Sequence, residues 1–369
     1  MAEKRYMKVN FKDYGSIEPD KRTPTDSSGT STGLTDLLQF ASAFDGMLMS
    51  LGTLCAIVHG MGTPALAIVF GGIMTQLLQN QQYPSAPYDA TLHASDTTET
   101  PFDQINTDCI RCLLIGVVVF FTAYGQVALF EAASERQISR MRVSYLRAVL
   151  RQPVAWFDQQ AAGQIPSRLN DDMERVREAT GDKLSFLIHH TSTGLFGLIV
   201  GFVFNWQLTL VMLSVAPMMF LCTAALALMM SRITHVEQEK YAVAGGLAEE
   251  ALTAIRTVAA FNAQHHLTER YRNILDETGK VTKRKYRNFG LAFGFYNFFQ
   301  LVSYGLAFWF GAVLVMQNPA FNKGHIFTVL FAIINASVSL GNAVPGLSIV
   351  AIGYGASRKI MHIINQKVR

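Results

Sequence analysis

The chain has 369 residues, of which 50% are hydrophobic and 16% are charged, and its mean hydropathy is positive. This composition is typical of membrane proteins, so a soluble domain is not expected. Four cysteines are too few for a disulfide scaffold, so a small secreted domain is not expected either.

Long runs without charged residues divide the chain into membrane spans. A helix needs about 20 residues to cross the hydrocarbon, and the longest run, residues 184–231, is long enough for two spans with a turn at Asn205. We therefore predict an all-α membrane protein with six transmembrane helices, at residues 47–79, 109–131, 184–204, 207–231, 288–316 and 325–352.

The distribution of basic residues predicts the orientation. Of the 31 Lys and Arg residues, only Arg111 and Lys323 fall on the outer side of these spans. The positive-inside rule then places both termini and the long loops 132–183 and 232–287 in the cytosol. This asymmetry accounts for the net charge of +4, so no nucleic-acid partner is expected.

The segment before the first span has two parts. Residues 1–33 are polar and lack apolar periodicity, which predicts disorder. In residues 34–46 the apolar positions recur at helical spacing, which suits a helix lying on the inner membrane surface and equally a buried turn of helix; they are Leu34, Leu37, Leu38, Ala41 and Phe44.

His59 is an ionisable residue within the first predicted span. Such residues usually face the interior of a helix bundle or a water-filled cavity. The alternative is a neutral imidazole that hydrogen-bonds to a neighbouring helix.

The first long loop continues the helical pattern beyond the membrane. Apolar stripes predict two arms that pack as an antiparallel pair, the first ended by Pro153; the stripe residues are Ile138, Met141, Tyr145 and Val149 on the outgoing arm and Leu169, Met173, Val176 and Leu184 on the return.

The second long loop repeats this design, and its arms are expected to pack on those of the first loop as a bundle. Its tip, Ala248–Phe261, contains Glu249, Glu250 and Arg256. A charge at mid-membrane costs about 2.5 to 3.5 kcal/mol, so this predicted helix lies outside the membrane. It either meets a cytosolic partner or is an ordinary amphipathic loop helix.

The fifth and sixth spans carry aromatic and uncharged polar residues about every four positions: Tyr296, Gln300, Tyr304 and Phe308, and Phe327, Phe331, Asn335, Ser339 and Asn342. Buried polar groups need partners, so these stripes should face the bundle interior. They suit bulky amphipathic, often cationic, ligands. Contacts between helices are the alternative.

No motif for nucleotide chemistry occurs in the sequence. A phosphate-binding loop needs G-x-x-x-x-G-K-[ST], which is absent, and His189 and His190 are adjacent and point to different helix faces. We expect no metal site and no cofactor bound by this chain.

Several motifs resemble one family. The run E-E-A-L-x-x-I-R-T-V-x-A-F, residues 249–261, is similar to the second intracellular loop of ABC exporters, above all the P-glycoprotein (multidrug resistance) group. Trp156-Phe157-Asp158, followed by Gly163, Arg168-Leu169 and Asp171-Asp172, resembles its first intracellular loop. The I-x-H-G-x-G-x-P run around His59 and the Leu306–Gly311 run resemble its first and fifth helices.

This resemblance implies the ABC exporter type-1 transmembrane fold, with an elbow helix at 34–46, a six-helix domain at 47–352 and the start of a linker toward a nucleotide-binding domain at 353–369. The implied residues for coupling to ATPase domains are Phe157, Asp158, Arg168, Arg256, Thr257, Val258 and Phe261. The implied substrate-binding residues are His59, Phe70, Tyr296, Gln300, Tyr304, Phe308, Phe327, Phe331, Asn335, Ser339 and Asn342.

The implied function is the membrane half of an ATP-driven exporter of amphipathic xenobiotics or lipids in the plasma membrane, working by alternating access. Its partners would be the lipid bilayer, a second six-helix half, and nucleotide-binding domains that hold ATP and Mg²⁺. On this interpretation the chain is a fragment or a truncated gene product. The alternative is a non-transporting membrane protein that pairs with and regulates full-length relatives.

Overall fold

A computed structural model describes residues 40–80, 101–158, 168–318 and 321–366. In this part of the chain the regular structure is helical, which confirms the predicted all-α class. The helices are α1 Ala43–Asn80, α2 Pro101–Leu150, α3 Val154–Asp158, α4 Met173–Thr180, α5 Asp182–Phe204, α6 Trp206–Leu213, α7 Ala216–Thr253, α8 Ile255–Ala260, α9 Gln264–Gln317 and α10 Gly324–Ile364, and a π-helical turn at Arg168–Asp172 precedes α4.

Among the described residues, five helical segments are long and apolar enough to cross a membrane. A sixth span is formed when Trp206–Leu213 and Ala216–Met230, which meet at an angle of 49°, are counted together. The predicted spans are thus found, and four helices extend well beyond the predicted bounds of their spans, namely α2, α7, α9 and α10.

Pro217 accounts for the break within the fourth span. Proline has no N–H, and its ring collides with the carbonyl four residues earlier, here that of Leu213. The backbone forms turns at Ser214 and Val215 instead, with N–H groups donating to Val211 and Met212. The break before Pro217 was not predicted. The predicted turn at Asn205 is present: the Asn205 side chain accepts a hydrogen bond of 2.7 Å from the N–H of Leu208 and caps α6.

Glycines allow the membrane helices to approach closely. A Cβ atom at Gly60 would lie 2.8 Å from the carbonyl oxygen of His189, and one at Gly197 would lie 2.8 Å from that of Ala332. Small residues at such crossings let backbones pack where no hydrophobic effect drives helix association. As a result α5 is held tightly between α1 and α10.

The arms of the first loop form a core of their own, here called the inner core. Its buried residues come from α2, α4 and α10: Ile138, Met141, Tyr145, Val149, Met173, Val176, Val350, Ala356, Ile360 and Ile363. The predicted stripe on α2 is therefore confirmed. Leu169 and Leu184 pack against this core from its edge, as expected for the return arm, while the C-terminal end of α10 was not predicted to take part.

The expected packing of the second loop on the first is wrong for the described residues. The main partners of α7 are α9 and α10, whereas α2 packs on α1, α4, α5 and α10. Ala244 and Thr278 are buried on the facing arms of the second loop. An apolar stripe shows that one face of a helix is covered, but not by which helix, and here the two arms form a separate pair.

The inner end of α1 is tied to α2 through Asp45. This carboxylate is fully buried, lies 3.1 Å from Nε of Arg136 and 2.6 Å from Nη1 of Arg140, and accepts a 2.9 Å hydrogen bond from the Ser42 hydroxyl. Arg140 also donates to the carbonyl of Phe40. The predicted elbow segment 34–46 lies outside the described residues up to position 39, and its last residues, from Ala43, form the first turn of α1.

We expect the Asp45→Ala substitution to destabilise the fold by about 1–3 kcal/mol, because it leaves the half-buried N–H and hydroxyl groups of Ser42 without their acceptor, while the two half-exposed arginines regain water. Thermal unfolding in one detergent, followed by circular dichroism, measures the effect. Glu249→Ala, at an exposed position on α7, is the matched control. Equal midpoints for both variants would contradict the structural role of Asp45.

Candidate functional site

Four of the predicted substrate-binding residues meet where α1, α9 and α10 come together. The ring of Phe70 lies edge-on to Phe327 and Phe331, at centroid distances of 6.3 and 5.0 Å. Phe308 on α9 lies 5.7 Å from Phe327. These four phenylalanines, here called the aromatic group, form one apolar surface from three helices. All four keep part of their surface exposed, so the surface is open to a ligand or to lipid.

The tyrosines of the α9 stripe pack against the membrane core rather than join the aromatic group. Tyr296 and Tyr304 are half-buried against a cluster of buried residues from α6, α7, α9 and α10. The side-chain amide of Gln300 donates to the Tyr304 hydroxyl at 3.2 Å. Gln300 thus uses its polar group within its own helix.

The polar stripe of α10 behaves in the same way. The amide of Asn335 donates to the carbonyl of Phe331, one turn earlier, at 2.8 Å. Ser339 is half-buried and Asn342 is exposed. Because the amides of Gln300 and Asn335 bond within their own helices, these contacts do not favour the alternative in which they join neighbouring helices.

His59 contacts two other helices. Its Nδ1 lies 2.9 Å from Oε1 of Gln126 on α2, which is the hydrogen bond that the alternative interpretation expected. Its ring also lies 4.0 Å from that of His189 on α5, with an angle of 30° between the planes. The ring of His190 is 5.0 Å from that of His189.

This histidine group was missed by the sequence reasoning, which considered only that neighbours on one helix diverge. Two further histidines within a predicted span were the available indication, since ionisable residues there are rare. Among the described residues, no three His, Cys, Asp or Glu side chains are arranged to hold a metal ion.

The first predicted coupling segment is the short helix α3. Trp156 packs against the inner core. The ring of Phe157 is perpendicular to that of Trp156, with 5.1 Å between the ring centroids, and it is partly exposed. Asp158 is the last residue of α3 and Arg168 begins the π-helical turn, but their side chains lie outside the described part. α3 is therefore fixed by Trp156 while presenting Phe157 to solvent.

The second predicted coupling segment contains Arg256, Thr257 and Val258 in α8, and Phe261 directly after it. The expected single helix over 248–261 is interrupted at Ala254, because antiparallel arms require the chain to reverse at their tip. No residue of α8 is buried, and Phe261 is 81% exposed. Leu252 and Ile255 are exposed as well, so the tip carries apolar side chains that nothing in the described chain covers.

A continuous helix separates this tip from the membrane. α7 runs without interruption from its apolar part, which ends at Met230, to Thr253. At 1.5 Å per residue this is about 35 Å. α7 therefore connects the tip directly with the span that contains the bend before Pro217.

Comparison with known proteins agrees with this architecture. Residues 49–338 match the ABC transporter transmembrane region. The chain is 34% identical over 337 residues to ABC transporter B family member 2 of Dictyostelium discoideum, covering 89% of this chain and 23% of that protein. It is 32% identical over 367 residues to ATP-binding cassette sub-family B member 5 of Homo sapiens, covering 98% and 28%.

A third relative is multidrug resistance protein pgp-1 of Caenorhabditis elegans, 31% identical over 335 residues, which are 90% of this chain and 25% of that protein. The chain spans about a quarter of the length of these curated relatives. The helical spans, the extended arms and these matches lead to one conclusion: the chain belongs to the ABC transporter transmembrane region family, and its relatives are B-family transporters.

Proposed function

We propose that this chain is the substrate-translocating membrane half of an ATP-driven exporter of amphipathic molecules, xenobiotics or lipids, in the plasma membrane. It works by alternating access with ATPase domains that lie outside this chain. The observation that carries the proposal is a pair of features that α9 connects: the open aromatic surface, to which Phe308 near one end of α9 belongs, and the uncovered apolar tip at α8, directly before the other end.

The aromatic group supplies the apolar part of the substrate site. Aromatic faces bury large areas at low conformational cost and accept cations as well as hydrocarbon. His59, Tyr296, Gln300 and Tyr304 add polar groups, and Asn335, Ser339 and Asn342 continue the α10 stripe toward the cytosol. This mixture suits ligands that are mostly apolar with a few polar groups.

The two tips supply the coupling. Phe157 on α3 and Phe261 beyond α8 would enter grooves of nucleotide-binding domains, with Asp158, Arg168, Arg256, Thr257 and Val258 around them. ATP and Mg²⁺ are held by those domains. A second six-helix half completes the cavity, and both termini lie in the cytosol, on the side of the basic loops.

Protection of engineered cysteines tests the proposal. In an assembled transporter whose native cysteines are replaced by serine, we expect 1-pyrenemethanol, a neutral amphiphile, to slow thiol labelling of the F331C and Y304C variants. At about ten times its Kd the slowing should be about tenfold. ATP-driven accumulation of the same amphiphile in inside-out vesicles measures transport.

The control is F120C, at an exposed position on α2 remote in sequence from the proposed site. Equal protection there would mean that the amphiphile acts through the bilayer and would overturn the site assignment. Protection of F331C without ATP-driven accumulation would favour a ligand-binding regulator over an exporter.

A further inference from the structure

Three imidazole rings and one amide meet between α1, α2 and α5. This histidine cluster consists of His59, Gln126, His189 and His190, with ring centroids 4.0 Å apart for His59 and His189 and 5.0 Å apart for His189 and His190. The closeness depends on Gly60, whose missing side chain lets α1 pass the backbone of His189. Four polar side chains therefore share one place within the membrane domain.

The hydrogen bonds of this cluster are incomplete. Gln126 is fully buried, and its Nε2 has no hydrogen-bond partner; the same holds for the buried Nδ1 atoms of His189 and His190. An amide nitrogen can only donate, and an unpartnered buried donor costs free energy. Gln126 Nε2 therefore lacks an acceptor, and each unpartnered Nδ1 is a further donor when its imidazole is protonated.

Three carboxylates of α2, α4 and α5 are paired with basic residues: Glu131, Glu174 and Asp182. The nearest carboxylate along α2 is Glu131, about 7.5 Å beyond Gln126 at 1.5 Å per residue, and it is paired at 2.9 Å with Arg177, which also binds Glu174 of α4. On α5, Asp182 is paired with Lys183 at 2.7 Å. Tyr124 is the other titratable residue of α2 between Cys112 and Glu131.

The helices α1 and α10 offer no counter-charge either. On α1 the titratable residues are Asp45, held by two arginines, Cys55 and His59 itself. α10 has no titratable residue between His325 and Tyr354. A proton bound by the cluster therefore meets no carboxylate on the helices that surround it.

The geometry favours an anion over a metal ion. The rings of His59 and His189 lie 4.0 Å apart at an angle of 30°, and no three potential ligands among the described residues are arranged to hold a metal ion. This close contact is compatible with one protonated ring, because a cation is attracted to an aromatic face. A protonated imidazole donates from both nitrogens and, with Gln126 Nε2, forms a set of donors for one acidic group.

We propose that the histidine cluster binds the anionic group of an amphipathic substrate, taking up one proton from water as it does so. The imidazolium and the bound carboxylate, sulfonate or phosphate then neutralise each other within the membrane, and no covalent bond is made or broken. This assignment rests on the proposed transport function and specifies the substrate class as amphipathic anions. Phe186, stacked on His190 at 6.5 Å, provides an apolar wall beside the charge.

The test uses the full chain in phosphatidylcholine nanodiscs and three pyrene probes that differ in charge: 1-pyrenesulfonate, 1-pyrenemethanol and 1-pyrenemethylamine. The sulfonate stays ionised throughout the range, so any pH effect comes from the protein. We expect it to bind about tenfold more tightly at pH 6 than at pH 8, because binding is linked to protonation of one imidazole. The alcohol and the amine should show no such gain.

The variant His59→Gln/His189→Gln/His190→Gln replaces all three imidazoles by polar side chains that cannot be protonated, and it should lose the gain at low pH. The matched control is His325→Gln, because His325 packs against Phe204 and Phe321 at the start of α10 and should leave the gain unchanged. Sulfonate binding that does not depend on pH, or a gain that survives the triple substitution, would overturn the anion site alone. Absence of saturable binding by all three probes would overturn the proposed function as well.

Discussion

The Phe261→Ser substitution should uncouple an assembled transporter while leaving its membrane domain folded. Phe261 is 81% exposed, so its removal costs the isolated fold no more than about 0.5 kcal/mol. If its ring is an anchor in a nucleotide-binding domain, truncation costs about 2 kcal/mol of docking, roughly 30-fold in affinity. Substrate-stimulated ATP hydrolysis and the affinity for the isolated nucleotide-binding domain measure the two effects.

Val243→Ser is the matched control, because Val243 is also apolar and exposed on α7 but lies more than two turns before the start of α8. It should retain both the stimulation and the affinity. Unchanged stimulation in Phe261→Ser would remove α8 from the coupling route. A loss of thermal stability in that variant would instead mean that Phe261 supports the fold, which its exposure argues against.

The sequence predicted those parts of the fold that depend on local pattern. Spans follow from apolar length, and the cap at Asn205 follows from a side chain that competes for backbone N–H groups. The stripe from Ile138 to Val149 was found by its helical period alone. In each case one helix carries the whole of the information.

Relations between helices were predicted less well. Periodicity could not tell that the inner core takes Ile360 and Ile363 from α10, or that the arms of the second loop do not pack on those of the first. The break at Ala254 was not predicted either, since Ala favours helix and only the reversal of the chain forces an interruption there. These features depend on which surfaces meet.

In the candidate site, too, features of single helices were predicted better than contacts between helices. Phe70, Phe308 and Phe327 were chosen from separate spans and lie together; for Phe308 and Phe327 the reason is that their stripes had to face the bundle interior. His189 and His190 were set aside as a diverging pair, and the structure brings His189 onto the ring of a histidine from another helix. The contact with α1 required Gly60. A single glycine in an apolar run does not indicate which helix packs against it.

The second large effect is expected in the inner core. Met141 is fully buried there, where α2 meets the C-terminal end of α10. Met141→Ala removes packing and leaves a cavity, so the fold should lose about 2–5 kcal/mol. Thermal unfolding in one detergent, followed by circular dichroism, measures the loss. The functional consequence follows from geometry: α2, α4 and α10 move as one body only while this core is filled.

Val143→Ala on the same helix is the control, since Val143 is 56% exposed and its truncation should cost less than about 0.5 kcal/mol. In an assembled transporter, Met141→Ala should also weaken substrate stimulation of ATP hydrolysis below its own unfolding temperature, because a loosened core transmits less of a displacement at α3 to the spans. Full stimulation in a clearly destabilised variant would show that the inner core supports stability alone, and the route from ATPase to substrate would then run through α7 and α9.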